Sequence, residues 1–464
     1  MLFAACMFER ACVQLEARLV FIEAIELASA LLGTALLWRN LVQWRFRNFA
    51  TSVFLLCYVP LFCVYPLIGR LLSNGAISID TRNAETLADP SIYYVYQTYN
   101  LLILIGFLIV TFASKPRAVL RGVAHSARFS PPFPTAWLLA CLGLGIYLYV
   151  YSTGLSVTEL LTASRFEWFL NDNYSSLLSV VASYFVALAP ALVYLCVRDD
   201  RRILLFITLL VLVAYGVLSK DRKWLIFIAS GLLAARYVKA NLQIALNGRD
   251  LTWLTLLGVA LAFWQVARGT LFTFLVEGNT DLGTEVPLML NQLLTRGDLP
   301  YYYNASVTAI HMNLNEGFSI PLGLLRRQLL FFLPTGFSFG LKVEDISAIF
   351  SDAVEGGDDI RRGNMPPGLI GLLVISFEWW GGLIIAIGLP FLLRVTDRLI
   401  RRQAGIVQIA LISNLLSAAL LLLRGDDSSA TYFIVFTIIV LSILKALHHL
   451  SLQAQKFLLR KQNS

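Results

Sequence analysis

Charged residues are scarce in this chain. Only 14% of its 464 residues are Asp, Glu, Lys or Arg, whereas 58% are hydrophobic and the mean hydropathy is +0.71. Soluble globular proteins carry about 25% charged residues. Because so few charges cannot cover the surface of a soluble protein with this much apolar side chain, the composition excludes the soluble classes.

Cysteine is also scarce, as are the short motifs of nucleotide and metal sites. The six cysteines lie in or beside the apolar N-terminal half and have neither disulfide nor metal-ligand spacing. The sequence contains no Walker loop, no dinucleotide glycine fingerprint, no HExxH and no CxxC. Asp358-Asp359 comes nearest to the paired aspartates of metal-dependent membrane glycosyltransferases, but its acidic, Gly-containing surroundings do not favour a metal site. We therefore expect no metal and no other cofactor.

The chain instead has repeated apolar stretches of about 17 to 22 residues, the length that crosses the hydrocarbon core of a bilayer. They predict an all-α polytopic integral membrane protein with about eleven transmembrane helices, or twelve if one helix escapes notice. The ten-residue alternating segments of a membrane β-barrel are absent. The predicted helices span about Leu19–Trp38, Ala50–Gly69, Tyr93–Ala113, Ala136–Ser152, Leu177–Val197, Ile203–Leu218, Trp224–Val238, Thr252–Ala267, Leu369–Leu393, Gly405–Leu423 and Ala430–Leu447.

The net charge of +8 is concentrated in short loops between these stretches, which is the bias of cytoplasmic loops rather than the footprint of a nucleic-acid-binding protein. The loops predicted to be cytoplasmic hold Arg39, Arg45, Arg47, Lys115, Arg117, Arg121, Arg128, Arg198, Arg201, Arg202, Arg236, Lys239, Arg249, Arg394, Arg398, Arg401 and Arg402. This orientation places the N-terminus, the turns Ser219–Lys223 and Arg424–Ser429, and the mixed segment 268–368 on the outer side of the membrane. The chain is expected to form one transmembrane domain over residues 1–464, into which residues 268–368 are inserted as a large outer loop with short helices.

Several cations break this pattern because they lie on the side that should be depleted of positive charge. The tight turn Ser219–Lys223 alone carries three cations. Arginines at one depth are suited to phosphate or pyrophosphate, because one guanidinium can donate two hydrogen bonds to its oxygens. The alternative interpretation is that these long side chains only reach from helix ends to the membrane interface. The cations that we assign to anion binding are Arg165, Lys220, Arg222, Arg268, Arg296, Arg326, Arg327 and Arg424.

The outer segment also holds candidates for sugar binding and for proton transfer. Asp298 and the tyrosines around Tyr302 follow Arg296, and an aromatic face with polar neighbours suits a sugar ring, although such tyrosines also form interfacial belts. His311 is the sole histidine of the outer loops. Glu378 lies inside an apolar run, where a carboxylate either has a function or is a buried hydrogen-bond partner. Asp298, His311 and Glu378 are the candidate general bases, in that order, and a structural role remains the alternative for each.

In their order and loop placement, these motifs resemble the O-antigen, or oligosaccharide repeat-unit, polymerase family of bacterial inner membranes. The resemblance covers residues 160–435 roughly. It is carried by Ser219-Lys220-Asp221-Arg222-Lys223, by Arg296-Gly297-Asp298 with its tyrosines, by Arg326-Arg327 to Pro334, by Pro366-Pro367-Gly368 before Glu378, and by Arg424-Gly425-Asp426.

The resemblance implies an enzyme of the periplasmic face that joins repeat units carried on undecaprenyl pyrophosphate. A hydroxyl of the incoming unit would attack the anomeric carbon of the growing chain, and undecaprenyl pyrophosphate would leave. Neither a metal nor a nucleotide sugar is needed, because the donor is already activated. The implied partners are these lipid-linked oligosaccharides, membrane lipids and a chain-length-regulating co-polymerase.

Two other functions remain open. An O-antigen ligase-type enzyme would use the same donor but a lipid A core acceptor. His311 would then be a stronger candidate for the general base. A lipid-linked oligosaccharide flippase belongs to a different class, and it is expected to show repeat symmetry and short loops. We find no repeat between the two halves of the sequence, and the long outer segment also argues against a flippase.

Overall fold

A computed structural model gives the architecture of residues 23–67, 90–113, 134–162, 174–221, 223–242, 298–330, 345–355, 366–402 and 405–462, and of isolated residues between them. Every regular element among these residues is a helix. We number the helices α1 Glu23–Gln43, α2 Phe49–Leu67, α3 Pro90–Ala113, α4 Thr135–Thr153, α5 Val157–Thr162, α6 Ser176–Val186, α7 Ala189–Arg198, α8 Arg202–Ser219, α9 Lys223–Lys239, α10 Asp298–Glu316, α11 Gly323–Leu329, α12 Ile346–Glu355, α13 Gly368–Arg402, α14 Ile406–Arg424 and α15 Asp427–Gln462.

In the described part of the chain, 8 helices are long and apolar enough to cross a membrane. They are α1, α2, α3, α4, α6 with α7, α8, α14 and the first part of α15. This confirms the predicted class, an all-α membrane protein. Three further predicted spans are not among the eight: α9 has 17 residues, α13 is kinked at Glu378, and residues 252–267 lie outside the described part except for Thr252 and Leu256.

Small residues let the membrane helices approach closely, as is usual where lipid offers no hydrophobic drive for association. A Cβ added at Gly106 of α3 would lie 2.8 Å from the Ile387 carbonyl oxygen of α13. One added at Gly231 of α9 would lie 2.7 Å from the Pro190 carbonyl oxygen of α7. These contacts set the spacing of helices in the larger apolar cluster of the bundle, which includes Phe107, Leu192, Ala234 and Leu373 and which we call the main core.

One end of the bundle gathers basic segments. The buried Asp397 carboxylate of α13 accepts hydrogen bonds from the Ala50 amide at 2.6 Å and from the Thr51 hydroxyl at 2.7 Å, so it caps the start of α2 from a distant helix. Arg401, one turn later, donates to the Asn48 side chain. We call this the basic end, because the cation-rich segments around residues 45–48, 236–239 and 394–402 meet there.

Helices α10, α11, α12 and the first part of α13 form a helical unit at the other end of the bundle. These helices share a smaller apolar cluster that is separate from the main core. It consists of Ala309, Met312, Ile320, Ile346, Phe350, Leu372 and Ile375. The first half of α10 instead packs in the main core through Tyr302, Tyr303 and Val307. The segment predicted to be a long outer loop therefore contains helices that are anchored in the bundle.

Candidate functional site

Three sequence motifs that are far apart in the chain pack together at the end opposite the basic end. A Cβ added at Gly425 would lie 2.7 Å from the Gly368 amide nitrogen, and one added at Gly368 would lie 2.7 Å from the Tyr302 carbonyl oxygen. Both glycines have positive φ, 87° and 70°, which other residues rarely adopt. The turn after α14, the entry to α13 and the start of α10 thus form one packed junction, which we call the glycine junction.

The turn after α14 has a fixed shape. The Asp426 amide donates to the Leu421 carbonyl at 2.9 Å, and the Gly425 amide donates to the Leu422 carbonyl at 3.0 Å. This is the Schellman arrangement, which closes a helix at a left-handed glycine. Arg424 is consequently the last residue of α14 and is half-buried beside the junction.

The turn that contains Lys220 lies at the same end of the bundle. Ser230 of α9 donates to the Ser413 carbonyl of α14, and the Phe227 and Phe433 rings are 6.2 Å apart, so the starts of α9 and α15 are at one level. Lys220 itself is 6% exposed and has a left-handed backbone, φ 50°. The neighbouring Asp221 accepts the amide of Lys223, which starts α9.

Arg327 of α11 is buried and its guanidinium faces the start of α12. It is 8% exposed, and its Nη1 is 3.6 Å from Oδ1 of Asp345, which directly precedes α12. The next residue, Gln328, accepts a hydrogen bond of 2.8 Å from the Thr431 hydroxyl near the start of α15. Arg326 donates through Nε to the Leu341 carbonyl at 2.8 Å. The two arginines therefore point to different partners.

Tyr184 of α6 joins these groups into one constellation. Its ring packs edge-on against Tyr432 at 5.9 Å, directly beside Thr431. The Arg327 guanidinium and the Asp426 carboxylate both lie within electrostatic range of the Tyr184 hydroxyl. A cation and a carboxylate from separate parts of the chain thus both act electrostatically on this phenol. We call Tyr184, Arg327, Asp426 and Tyr432 the tyrosine-184 cluster.

Tyr302, which the sequence predicts to contact sugar, lies near the start of α10 and is largely buried. It is 7% exposed and packs against Phe62 at 6.2 Å between ring centroids. Tyr303 is fully buried, with its ring 4.8 Å from Tyr96 in an edge-on arrangement. These tyrosines fix α10 to the bundle, and they do not form an exposed aromatic face.

Glu378 lies at a break in α13 rather than in a continuous helix. Its φ of 56° and ψ of −171° belong to a region that glycine occupies almost exclusively. The break frees the carbonyls of Ile375 and Ser376, and they accept the amides of Ile320 and Leu322, each at 2.7 Å. The Tyr99 hydroxyl donates to the Glu378 carbonyl at 3.2 Å, and the Glu378 side chain is exposed.

The other two candidate bases, His311 and Asp298, both lie on α10. His311 lies on α10 with the Asn315 side-chain nitrogen 2.9 Å from Nδ1, and its Nε2 is 3.8 Å from Glu316. These contacts are one turn away on the same helix, which fits the structural interpretation of this histidine. Asp298 is the first residue of α10, and its side chain lies outside the described part of the structure.

Four of the predicted anion-binding arginines, Arg165, Arg222, Arg268 and Arg296, lie outside the described residues. Of the predicted cations that are described, Arg327 belongs to the tyrosine-184 cluster and Arg424 lies beside the glycine junction. Lys220 shares their end of the bundle, whereas Arg326 turns towards Leu341.

Sequence reasoning missed Tyr184, Asp345 and Asp426 as members of the site. Tyr184 and Asp345 follow no motif, so sequence alone carried no signal for them. Asp426 did carry one, because it stands directly after the Arg424-Gly425 pair in a turn between two apolar helices.

Among the described residues, no group of three or more His, Cys, Asp or Glu side chains could hold a metal ion. Searches against family models, curated proteins and solved structures give no match for the chain.

Proposed function

We propose that this chain is a membrane glycosyltransferase that polymerises oligosaccharide repeat units carried on undecaprenyl pyrophosphate, at the periplasmic face of a bacterial inner membrane. The growing chain is the donor, and the incoming unit supplies the attacking hydroxyl. Undecaprenyl pyrophosphate leaves, so the enzyme has to stabilise the negative charge that develops on the leaving group.

The observation that carries this proposal is the packing of separate motifs at one end of the bundle. Tyr302, Gly368 and Gly425 are 57 or more positions apart in sequence, yet they form one junction. Arg424 is the residue before that junction, and Arg327 lies in the adjoining cluster. A lipid-anchored pyrophosphate requires cations at the level where a membrane helix ends, and both arginines meet this requirement.

The helical unit formed by α10, α11, α12 and the start of α13 supports the same function. It lies against the junction through α10 and against α15 through the bond between Gln328 and Thr431. A sugar chain attached to a lipid has to extend out of the membrane beside its pyrophosphate, and this unit offers a polypeptide wall on that side. A transporter would not need a long outer segment for this purpose, because it does not hold a growing sugar chain beside the membrane.

Deletion of the gene in the source bacterium tests the proposal through the banding of its surface polysaccharide. A polymerase deletion leaves lipid A core with a single repeat unit and removes the ladder. Loss of every unit would instead indicate a ligase or a flippase, and an unchanged ladder would contradict all three functions.

Complementation with single variants then connects the activity to the site. We expect Arg327→Ala and Arg424→Ala to leave the ladder absent at normal protein level, and Arg327→Lys to restore it in part, because a lysine replaces the charge but not paired hydrogen bonds. Arg202→Ala is the matched control, since Arg202 is highly exposed and belongs to the other end of the bundle. Ladders of normal length in both site variants would mean that the cations have no part in the reaction.

A further inference from the structure

We propose that α11 lies in the membrane surface at the end of the bundle that carries the glycine junction. Its exposed leucines are inserted among the acyl chains, and Arg326 lies at the level of the lipid phosphates. The partner of this helix is therefore the lipid bilayer itself. The inference goes beyond the proposed function, because it holds whichever reaction the chain catalyses.

One face of α11 exposes a stripe of leucines. Leu322, Leu325 and Leu329 are 50%, 44% and 72% exposed. Because these positions are three and four residues apart, their side chains lie on one face of the helix. A helix that faced water would carry polar side chains there, whereas an exposed apolar patch with polar neighbours marks an interaction surface for protein or membrane.

The opposite face of α11 packs into the protein and so determines which side is exposed. A Cβ added at Gly323 would lie 2.8 Å from Cγ2 of Ile320 and 3.4 Å from Cδ1 of Ile346. Arg327, on the same side, is buried with its guanidinium 3.6 Å from Asp345. The helix therefore cannot turn its leucines inward without losing these contacts.

The depth of α11 is set by its contact with α15. The Gln328 side chain accepts a hydrogen bond of 2.8 Å from the Thr431 hydroxyl. Thr431 is the first residue of the stretch of α15 that is long and apolar enough to cross a membrane, Thr431–Ser451. The leucine face is thus continuous with the point where a membrane span begins, which is the level at which an interfacial amphipathic helix lies.

Arg326 gives this face a positive charge that complements the lipid phosphates. It follows Leu325 directly, and its Nε donates to the Leu341 carbonyl at 2.8 Å. Leu341 is itself exposed and so extends the apolar face beside the guanidinium. An arginine can lay its aliphatic stem along apolar surface while its guanidinium stays at the level of the headgroups, where it pairs with phosphate.

Helix α12 belongs to the same helical unit but has a different exposed face. Its exposed positions Ala348, Asp352 and Ala353 are small or charged, whereas Ile346 and Phe350 are buried. This is the pattern of a helix that faces water. The two helices therefore assign a lipid side and an aqueous side to one unit, and α12 supplies the matched control for α11.

Nitroxide labels on single cysteines test this placement in the full-length protein without native cysteines. Nanodiscs of phosphatidylethanolamine and phosphatidylglycerol, free of prenyl lipid, supply the bilayer, and collisions of the label with oxygen and with nickel-EDDA are measured. Ile439→Cys, exposed in the membrane span of α15, is the lipid control, and Ala353→Cys is the water control. We expect Leu325→Cys and Leu329→Cys to show a several-fold higher ratio of oxygen to nickel collisions than Ala353→Cys, because oxygen concentrates among acyl chains and the nickel complex stays in water.

Three results would overturn the proposal. Nickel collisions at Leu329→Cys as frequent as at Ala353→Cys would place the face in water, and few collisions with either reagent would mean that protein covers it. A lipid-like ratio that arises only after undecaprenyl phosphate is added would mean that the face binds a prenyl chain instead of the bilayer. If Leu329→Cys does not fold, Leu325→Cys and Leu322→Cys are judged by the same criteria. No turnover is measured, so a failure here leaves the proposed function intact, and an inactive protein leaves this inference intact.

Discussion

The amide of Leu322 donates a hydrogen bond of 2.7 Å to the carbonyl oxygen of Ser376, and this bond ties the segment before α11 to a broken membrane helix. Ser376 can accept it because α13 is interrupted two residues later, at Glu378. The segment that carries Arg327 is therefore held by the same break that places a carboxylate at the surface. A shift of α13 at this point would move α11 and its arginines with it.

The strained backbone of Glu378 gives the first prediction. Its conformation costs on the order of 1–3 kcal/mol for a residue with a side chain and almost nothing for glycine. We expect Glu378→Gly to unfold at a higher temperature than Glu378→Ala, which removes the same carboxylate but retains the strain. Thermal unfolding of both purified variants measures the difference, and a lower melting temperature for the glycine variant would show that the break is not strained.

The glycine junction gives the second prediction. A Cβ at residue 425 would lie 2.7 Å from the Gly368 amide nitrogen, at a φ of 87°. We expect Gly425→Ala to destabilise the protein by about 1–3 kcal/mol and to abolish polymer formation, because the three chain segments cannot approach. Gly143→Ala is the control, since nothing lies within 4 Å of the added atom there. Equal melting temperatures for the two variants would refute the packed junction.

Asp397 gives a prediction about pH at the basic end, beyond the predicted membrane-spanning stretch of α13. Burial raises its pKa from 3.8 to about 6, although hydrogen bonds from Thr51 and Ala50 and the nearby Arg401 lower it. Because the folded state holds this proton more tightly than the unfolded state, the linked stability is fully present below pH 3.8 and is lost as pH rises through about 6.

We therefore expect the unsubstituted protein to lose up to about 3 kcal/mol of stability between pH 4 and pH 7 relative to Asp397→Asn, which cannot titrate. Chemical unfolding at a series of pH values compares the two proteins. Parallel pH curves would mean that Asp397 does not change its protonation in this range.

The orientation of the chain in the membrane gives the fourth prediction. Ala353 on α12 has an exposed side chain, whereas Ala454 is exposed on α15 beyond its membrane-spanning part, towards the basic end. In a background without native cysteines, a membrane-impermeant thiol reagent should label Ala353→Cys in cells with a permeabilised outer membrane. Ala454→Cys should react only after lysis. The reverse pattern would place the candidate site in the cytoplasm and contradict the proposed reaction.

The sequence by itself determined the class of the protein and the location of its charges. Apolar runs of membrane length predict membrane helices because transfer into lipid is favourable residue by residue, and it depends little on which neighbours a helix acquires. The end of α14 was equally local, since Gly425 can take the left-handed backbone that closes a helix. The predicted helix ended at Leu423, one residue before the last helical residue, Arg424.

Only the tertiary structure decided which residues meet. The run from Leu369 to Leu393 is apolar on both sides of Glu378, so hydropathy predicts one helix. The break becomes evident when Ile320 and Leu322 supply the amides that the freed carbonyls require. The position of Tyr302 in a polar segment likewise predicts an exposed side chain, yet the structure buries it against Phe62. Hydrogen-bond partners and packing partners come from remote parts of the chain, and a local pattern of residue types does not contain that information.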